Sequence, residues 1–186
     1  MAPTRATHAC LAVLMLLLAA GAEADDAAST LEYPVKAAFL YEFARFVEWP
    51  DVGATPGPLS IGVLGDDPFG EALDRAVSAK KVGGRALAIR RFRQLEELTP
   101  CAILFVANSE VGRLDAILNK TAGWPTLIVG ESDGFTGGGG MVRFFVDGNR
   151  VRFEVNLRAA ETAGLRLSSR MLAVASVTGI QRRGSR

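Results

Sequence analysis

Two short, almost uninterrupted apolar runs, Leu59–Leu64 and Ala102–Ala107, constrain this chain more than any other feature. A strand whose alternating side chains are apolar on both faces must be covered on both, as happens in a parallel sheet flanked by helices. The segments between them agree. Gly65-Asp66-Asp67-Pro68 turns the chain into a helix running to about Ala79, with Asp67 placed to cap it and Pro68 at its first position. Ala86–Phe92 reads as a strand, Gln94–Leu98 as a helical turn, and Val111–Thr121 as a helix that Asn108 or Ser109 can cap. Thr126–Val129 is a further strand, and Met141–Val146 and Arg150–Val155 form a hairpin through Asp147-Gly148. A helix over Leu157–Ala163 stops at Gly164, and a last one begins at Ser168 or Ser169. The expectation is an α/β fold: a mostly parallel sheet of about six strands with helices on both faces, ending in an antiparallel hairpin edge.

Ahead of this alternation, Val35, Phe39, Leu40, Phe43, Phe46 and Val47 recur at helical spacing from Pro34 to the Trp49-Pro50 stop. Lys36, Glu42, Arg45 and Glu48 fall mostly away from that apolar face. Asp51–Pro58 is a loop, and Gln181–Arg186 is a basic tail. No internal repeat or second domain stands out, so residues 33–180 are expected to form one domain.

The first residues bear on the compartment. Arg5, an uncharged Leu-rich run from Cys10 to Ala20, and Ala22-Glu23-Ala24 have the layout of a secretory signal cleaved after Ala24. The run is too short for a membrane span, which takes roughly 20 apolar residues. A short polar leader, residues 25–32, follows. Cleavage leaves roughly 160 residues, enough for one domain with a core.

It also removes His8, the one histidine, and Cys10, one of two cysteines. A chain without histidine and with a single thiol, Cys101, cannot build a Ser-His-Asp or Cys-His centre, a His-ligated zinc site or an intramolecular disulfide. A formal net charge of +1 argues against nucleic acid as the partner. Cys101, ahead of an apolar strand, reads as buried and inert, though an exposed thiol in an oxidising compartment could react.

Asp66-Asp67 and Glu131/Asp133 both follow strands, where open α/β sheets bind ligands. They read either as a metal or receiver-like acidic pocket or as capping and turn residues, and local preferences favour the second. Ala107-Asn108 stands where a receiver would need its acceptor aspartate. Gly137–Gly140 lacks the Gly-Lys-Ser/Thr of a phosphate loop and reads as a flexible turn. In the last third, Glu154, Asn156, Arg166 and Ser168 could line a polar pocket in which the Arg166 fork reads a carboxylate or phosphate. The competing reading is a solvated edge with a structural Glu–Arg pair, Arg152 with Glu154, and a capping Asn.

Several stretches together resemble the YfiR-like periplasmic proteins: Glu32-Tyr33-Pro34-Val35-Lys36-Ala37-Ala38-Phe39-Leu40-Tyr41, Phe46-Val47-Glu48-Trp49-Pro50, Ile61-Gly62-Val63-Leu64-Gly65 and the Cys101–Val106 strand. Val151-Arg152-Phe153-Glu154-Val155-Asn156-Leu157 and Gly164-Leu165-Arg166-Leu167 complete the set in the same order. The resemblance implies a non-catalytic periplasmic repressor, without cofactor or metal, that binds the periplasmic sensor region of an inner-membrane diguanylate cyclase. It would thereby control cyclic di-GMP signalling and biofilm formation. It implies a binding site at Glu154, Asn156, Arg166 and Ser168 that takes the partner or a small aromatic ligand, and it leaves a homodimer open. This chain departs from the redox-sensitive disulfides of the family's best-known member: Gly62 stands where the nearest partner of Cys101 would align, so redox control through a disulfide is not expected. The alternative is a periplasmic small-molecule receptor with no cyclase partner.

Overall fold

A computed structural model describes residues 31–50 and 57–178. The signal, nearly all of the leader, most of the Asp51–Pro58 loop and the basic tail lie outside the described residues.

Helix α1 occupies residues 31–46, so Leu31 and Glu32 of the expected leader are already helical. The chain then forms β1 (Val47–Glu48), β2 (Leu59–Leu64), α2 (Glu71–Val77), β3 (Lys81–Val82) and β4 (Arg85–Phe92). Strand β5 (Ile103–Val106), a 3₁₀ segment over Asn108–Arg113, α3 (Leu114–Thr121) and β6 (Leu127–Gly130) follow. The C-terminal third holds β7 (Val142–Asp147), β8 (Arg150–Asn156), α4 (Leu157–Thr162), β9 (Arg166–Leu167), α5 (Ser169–Val174) and β10 (Ser176–Thr178).

The main sheet runs β10-β8-β7-β6-β5-β2-β4-β3. Strands β4, β2, β5, β6 and β7 are mutually parallel, and β8 returns antiparallel to β7. The expected α/β class and hairpin hold, with two short strands added at the margins. One, β3, folds back on β4; the other, β10, runs parallel to β8, so the outer edge lies one strand beyond the hairpin. From β2 the chain moves to one side to reach β4, then returns to the other side for β5 and β6. Right-handed crossovers therefore put α2 and α3 on opposite faces.

The apolar stripe of α1 packs on the C-terminal hairpin. Phe43 stacks on Phe144 at a ring separation of 5.6 Å and meets Phe153 edge-on at 4.9 Å. All three rings are buried, and offset and edge-on geometries suit their quadrupoles. Truncating Phe43 to alanine is expected to cost about 3–5 kcal/mol. Because side chains alternate across a strand, Phe144 and Phe153 face α1 while Arg143 and Glu154 face the other way.

The helix ends earlier than its periodicity suggests. Val47 and Glu48 leave it to pair antiparallel with Leu167 and Arg166, forming a separate two-stranded sheet. The backbone N–H of Ser168 donates to the Phe46 carbonyl at 2.9 Å, continuing that seam.

Gly137–Gly140 is a packed segment and not the free turn its composition suggests. Phe135 is only 1 % exposed, and a Cβ on Gly140 would fall 2.2 Å from its ring. Bare backbone is what lets this loop close over the phenyl group.

Candidate functional site

The sequence offered two polar clusters as candidates, an acidic one at strand ends and one in the last third, and the structure resolves them into three. The first lies at the carboxyl ends of β2, β5 and β6, where the strand order reverses and open sheets usually bind ligands. Here the protein fills the crevice itself. A Cβ on Gly65 would stand 2.4 Å from Ser109 Oγ, and the Asp66 N–H donates to that hydroxyl at 2.9 Å. Asp67 accepts from the Phe69 N–H at 2.8 Å and pairs with Arg91 at 2.7 Å. It shapes the turn instead of capping α2, whose N-cap is Gly70. Neither Asn108 nor Ser109 caps α3, which follows the 3₁₀ segment.

Glu131 is drawn inward. It accepts from Lys36 Nζ, from Asn108 Nδ2 at 3.1 Å and from the Tyr33 hydroxyl at 3.3 Å. Lys36, read from periodicity as lying away from the core, is only 2 % exposed and also bonds Glu32. Burial opposes its charge, yet the hydrogen bonds to Glu131 and Glu32 prevail and raise its pKa. Asp133 points elsewhere, to Arg143 at 3.0 Å. Among the described residues no group of three or more His, Cys, Asp or Glu is placed to hold a metal.

The second cluster surrounds Thr136. Glu154 accepts from the Thr136 hydroxyl and from Arg143 Nε, the latter at 2.9 Å. Asn156 donates to the Thr136 carbonyl at 3.0 Å while its side-chain oxygen caps α4 by accepting the Ala159 N–H at 3.1 Å. The hydrogen bond from Arg143 outweighs burial and, with the Thr136 hydroxyl, holds the Glu154 carboxyl below the usual glutamate range. The Glu–Arg pair anticipated on β8 therefore forms with Arg143 of β7, and Arg152 pairs with Asp147 at 3.0 Å.

The third cluster is a cavity of about 430 Å³ lined by Glu48, Trp49, Pro50, Gly164 and Arg166. Two cross-strand neighbours, Glu48 and Arg166, bring a carboxylate and a guanidinium to its wall. Gly164, at the end of α4, and the Trp49-Pro50 stop of the first helix supply the rest. The Trp49 indole is fixed by its Nε1–H, which donates to the Ala102 carbonyl at 3.1 Å. Arg166 is exposed, and its guanidinium has neither hydrogen bond nor ion pair among the described residues. An unpaired planar cation beside a fixed aromatic wall can take a carboxylate or phosphate bidentately and hold an aromatic ring on the indole.

The four residues singled out from sequence thus fall into two pairs. Glu154 and Asn156 meet around Thr136, whereas Arg166 lines the cavity and Ser168 caps α5 by accepting the Met171 N–H at 3.3 Å. No hydrogen bond or ion pair joins the pairs among the described residues. Sequence reasoning missed Glu48 and Trp49 as cavity walls, because only the β1–β9 pairing brings them to Arg166.

Cys101 is buried against Gly62, and burial pushes its thiol up to about 12, which leaves it protonated and inert. No helix of the described residues is long and apolar enough to cross a membrane.

A crystal structure of a conserved domain protein from Vibrio cholerae O1 biovar El Tor is similar at 14% identity with a TM-score of 0.48. The match covers 64% of this chain and 54% of the Vibrio chain, so it spans about half of that protein's length. Residues 33–176 match the family model described as YfiR/HmsC-like, across the helix, the whole main sheet up to the start of β10, and the Arg166 cavity. The chain belongs to the YfiR/HmsC-like family.

Proposed function

We propose that this protein is a non-catalytic periplasmic regulator that binds the periplasmic sensor region of an inner-membrane diguanylate cyclase and holds the enzyme inactive. Membership of the YfiR/HmsC-like family supports a regulator of cyclic di-GMP signalling in general terms. The observation that carries the finer reading is the Arg166 guanidinium in the cavity beside Trp49, unpaired among the described residues. Arg166 is the contact that an acidic group would seek, either a partner carboxylate or the anionic end of a small aromatic ligand. Ser168, two residues on, holds the start of α5 beside this wall. Glu154 and Asn156, apart from this cavity, would act indirectly, by fixing the Thr136 loop against β8.

Repression requires tighter binding to the inactive sensor state than to the active one. Shifting the balance substantially takes a few kcal/mol of that difference. Deleting the gene is expected to raise cellular cyclic di-GMP in a strain that has the partner cyclase and to leave it unchanged in a strain without it. No rise in either background would sink the proposal.

A further inference from the structure

The first two turns of α1 are attached differently from the rest of the helix. From Ala37 onward the inward face is fully buried, through Leu40, Phe43 and Ala44. Before it, Leu31 is 62 % exposed, Val35 is exposed, and Glu32 and Tyr33 are half-buried. Lys36 is the one buried residue there, and it joins the helix to Glu131 across the carboxyl ends of the strands. Tyr33 adds an edge-on contact with Phe69, at a ring separation of 5.7 Å, and its own bond to Glu131. These turns lie on Glu131 and Phe69 near the reversal of strand order.

We propose that residues 31–36 form a strap over the carboxyl ends of β5 and β6, latched by Lys36 on Glu131, that opens as a local unit while the aromatic half of α1 stays docked. Regions with few buried apolar contacts open at lower free energy than the core, and here the Lys36 clasp and the Tyr33 ring stand in place of the fully buried face that follows.

Hydrogen exchange of the mature chain, read by mass spectrometry, tests this in the wild type, Lys36→Met and Glu131→Gln. In both variants, amides of residues 31–38 should exchange at least about ten-fold faster than in the wild type, with residues 39–46, β5 and β6 nearly unchanged. Glu131→Gln keeps the side-chain shape and serves if Lys36→Met fails to fold. Acceleration spread evenly over residues 31–46 would overturn the proposal, and so would no acceleration at all.

Discussion

A Cβ built on Gly62 stands 3.0 Å from the sulfur of Cys101. Gly62 lies on β2 and Cys101 just ahead of its parallel neighbour β5, and the thiol is buried. With an S–S bond of about 2.04 Å, the Cβ-to-sulfur separation across a disulfide is itself about 3 Å. The chain therefore keeps the spacing of a bridge while lacking one of its sulfurs.

Gly62→Cys is expected to close that bridge under oxidising conditions. Phe92 at 3.0 Å and Leu104 at 3.2 Å from the same point must shift slightly. Thiol titration of the oxidised, denatured variant should find no free thiol, and its melting temperature should rise over that of its reduced form. Two free thiols would show that the neighbouring side chains do not yield. Gly62→Ala should simply overpack the site, at a cost of about 1–3 kcal/mol in chemical denaturation.

Gly140→Ala is expected to destabilise the protein by about 2–3 kcal/mol, because the new methyl would overlap the Phe135 ring. Gly112→Ala has open space around it and should change stability by no more than about 0.5 kcal/mol. Urea denaturation separates the two. In a double-mutant cycle, Phe135→Leu should relieve part of the Gly140→Ala penalty.

Much of the fold was legible because burial writes itself into local pattern. Leu59–Leu64 and the Ala102–Ala107 region read as strands from composition alone, and both are core strands. The two- and three-residue strands β1, β9 and β10 were not legible, since backbone pairing with distant segments creates them without any periodic signal of their own. Lys36 carried a signal that charge obscured: it lies four residues before Leu40 and seven before Phe43, on their stripe. Its partner Glu131 is 95 residues away, so nothing local could pair them. At the site, Arg166 was legible as a candidate fork, while its cavity depends on Glu48 and Trp49, which only tertiary pairing delivers.

Acid should weaken the Thr136 cluster. The folded-state pKa of Glu154 is depressed from the ordinary 4.5. Its stabilisation is therefore complete above that value and fades as pH falls through the lower folded one. Glu154→Gln is expected to cost about 1–2 kcal/mol at neutral pH. The urea midpoint of the wild type should also fall more steeply than that of Glu154→Gln between about pH 5 and pH 3. Parallel profiles would mean that the carboxylate contributes nothing through its charge.

The most direct test of the regulatory reading is capture of inner-membrane proteins by the immobilised mature domain, followed by mass spectrometry. The wild type should retain a membrane protein bearing a diguanylate cyclase domain, and Arg166→Ala should retain about ten-fold less, a loss of about 1.4 kcal/mol. Failure of the folded wild type to retain a cyclase, or equal retention by Arg166→Ala, would contradict the account.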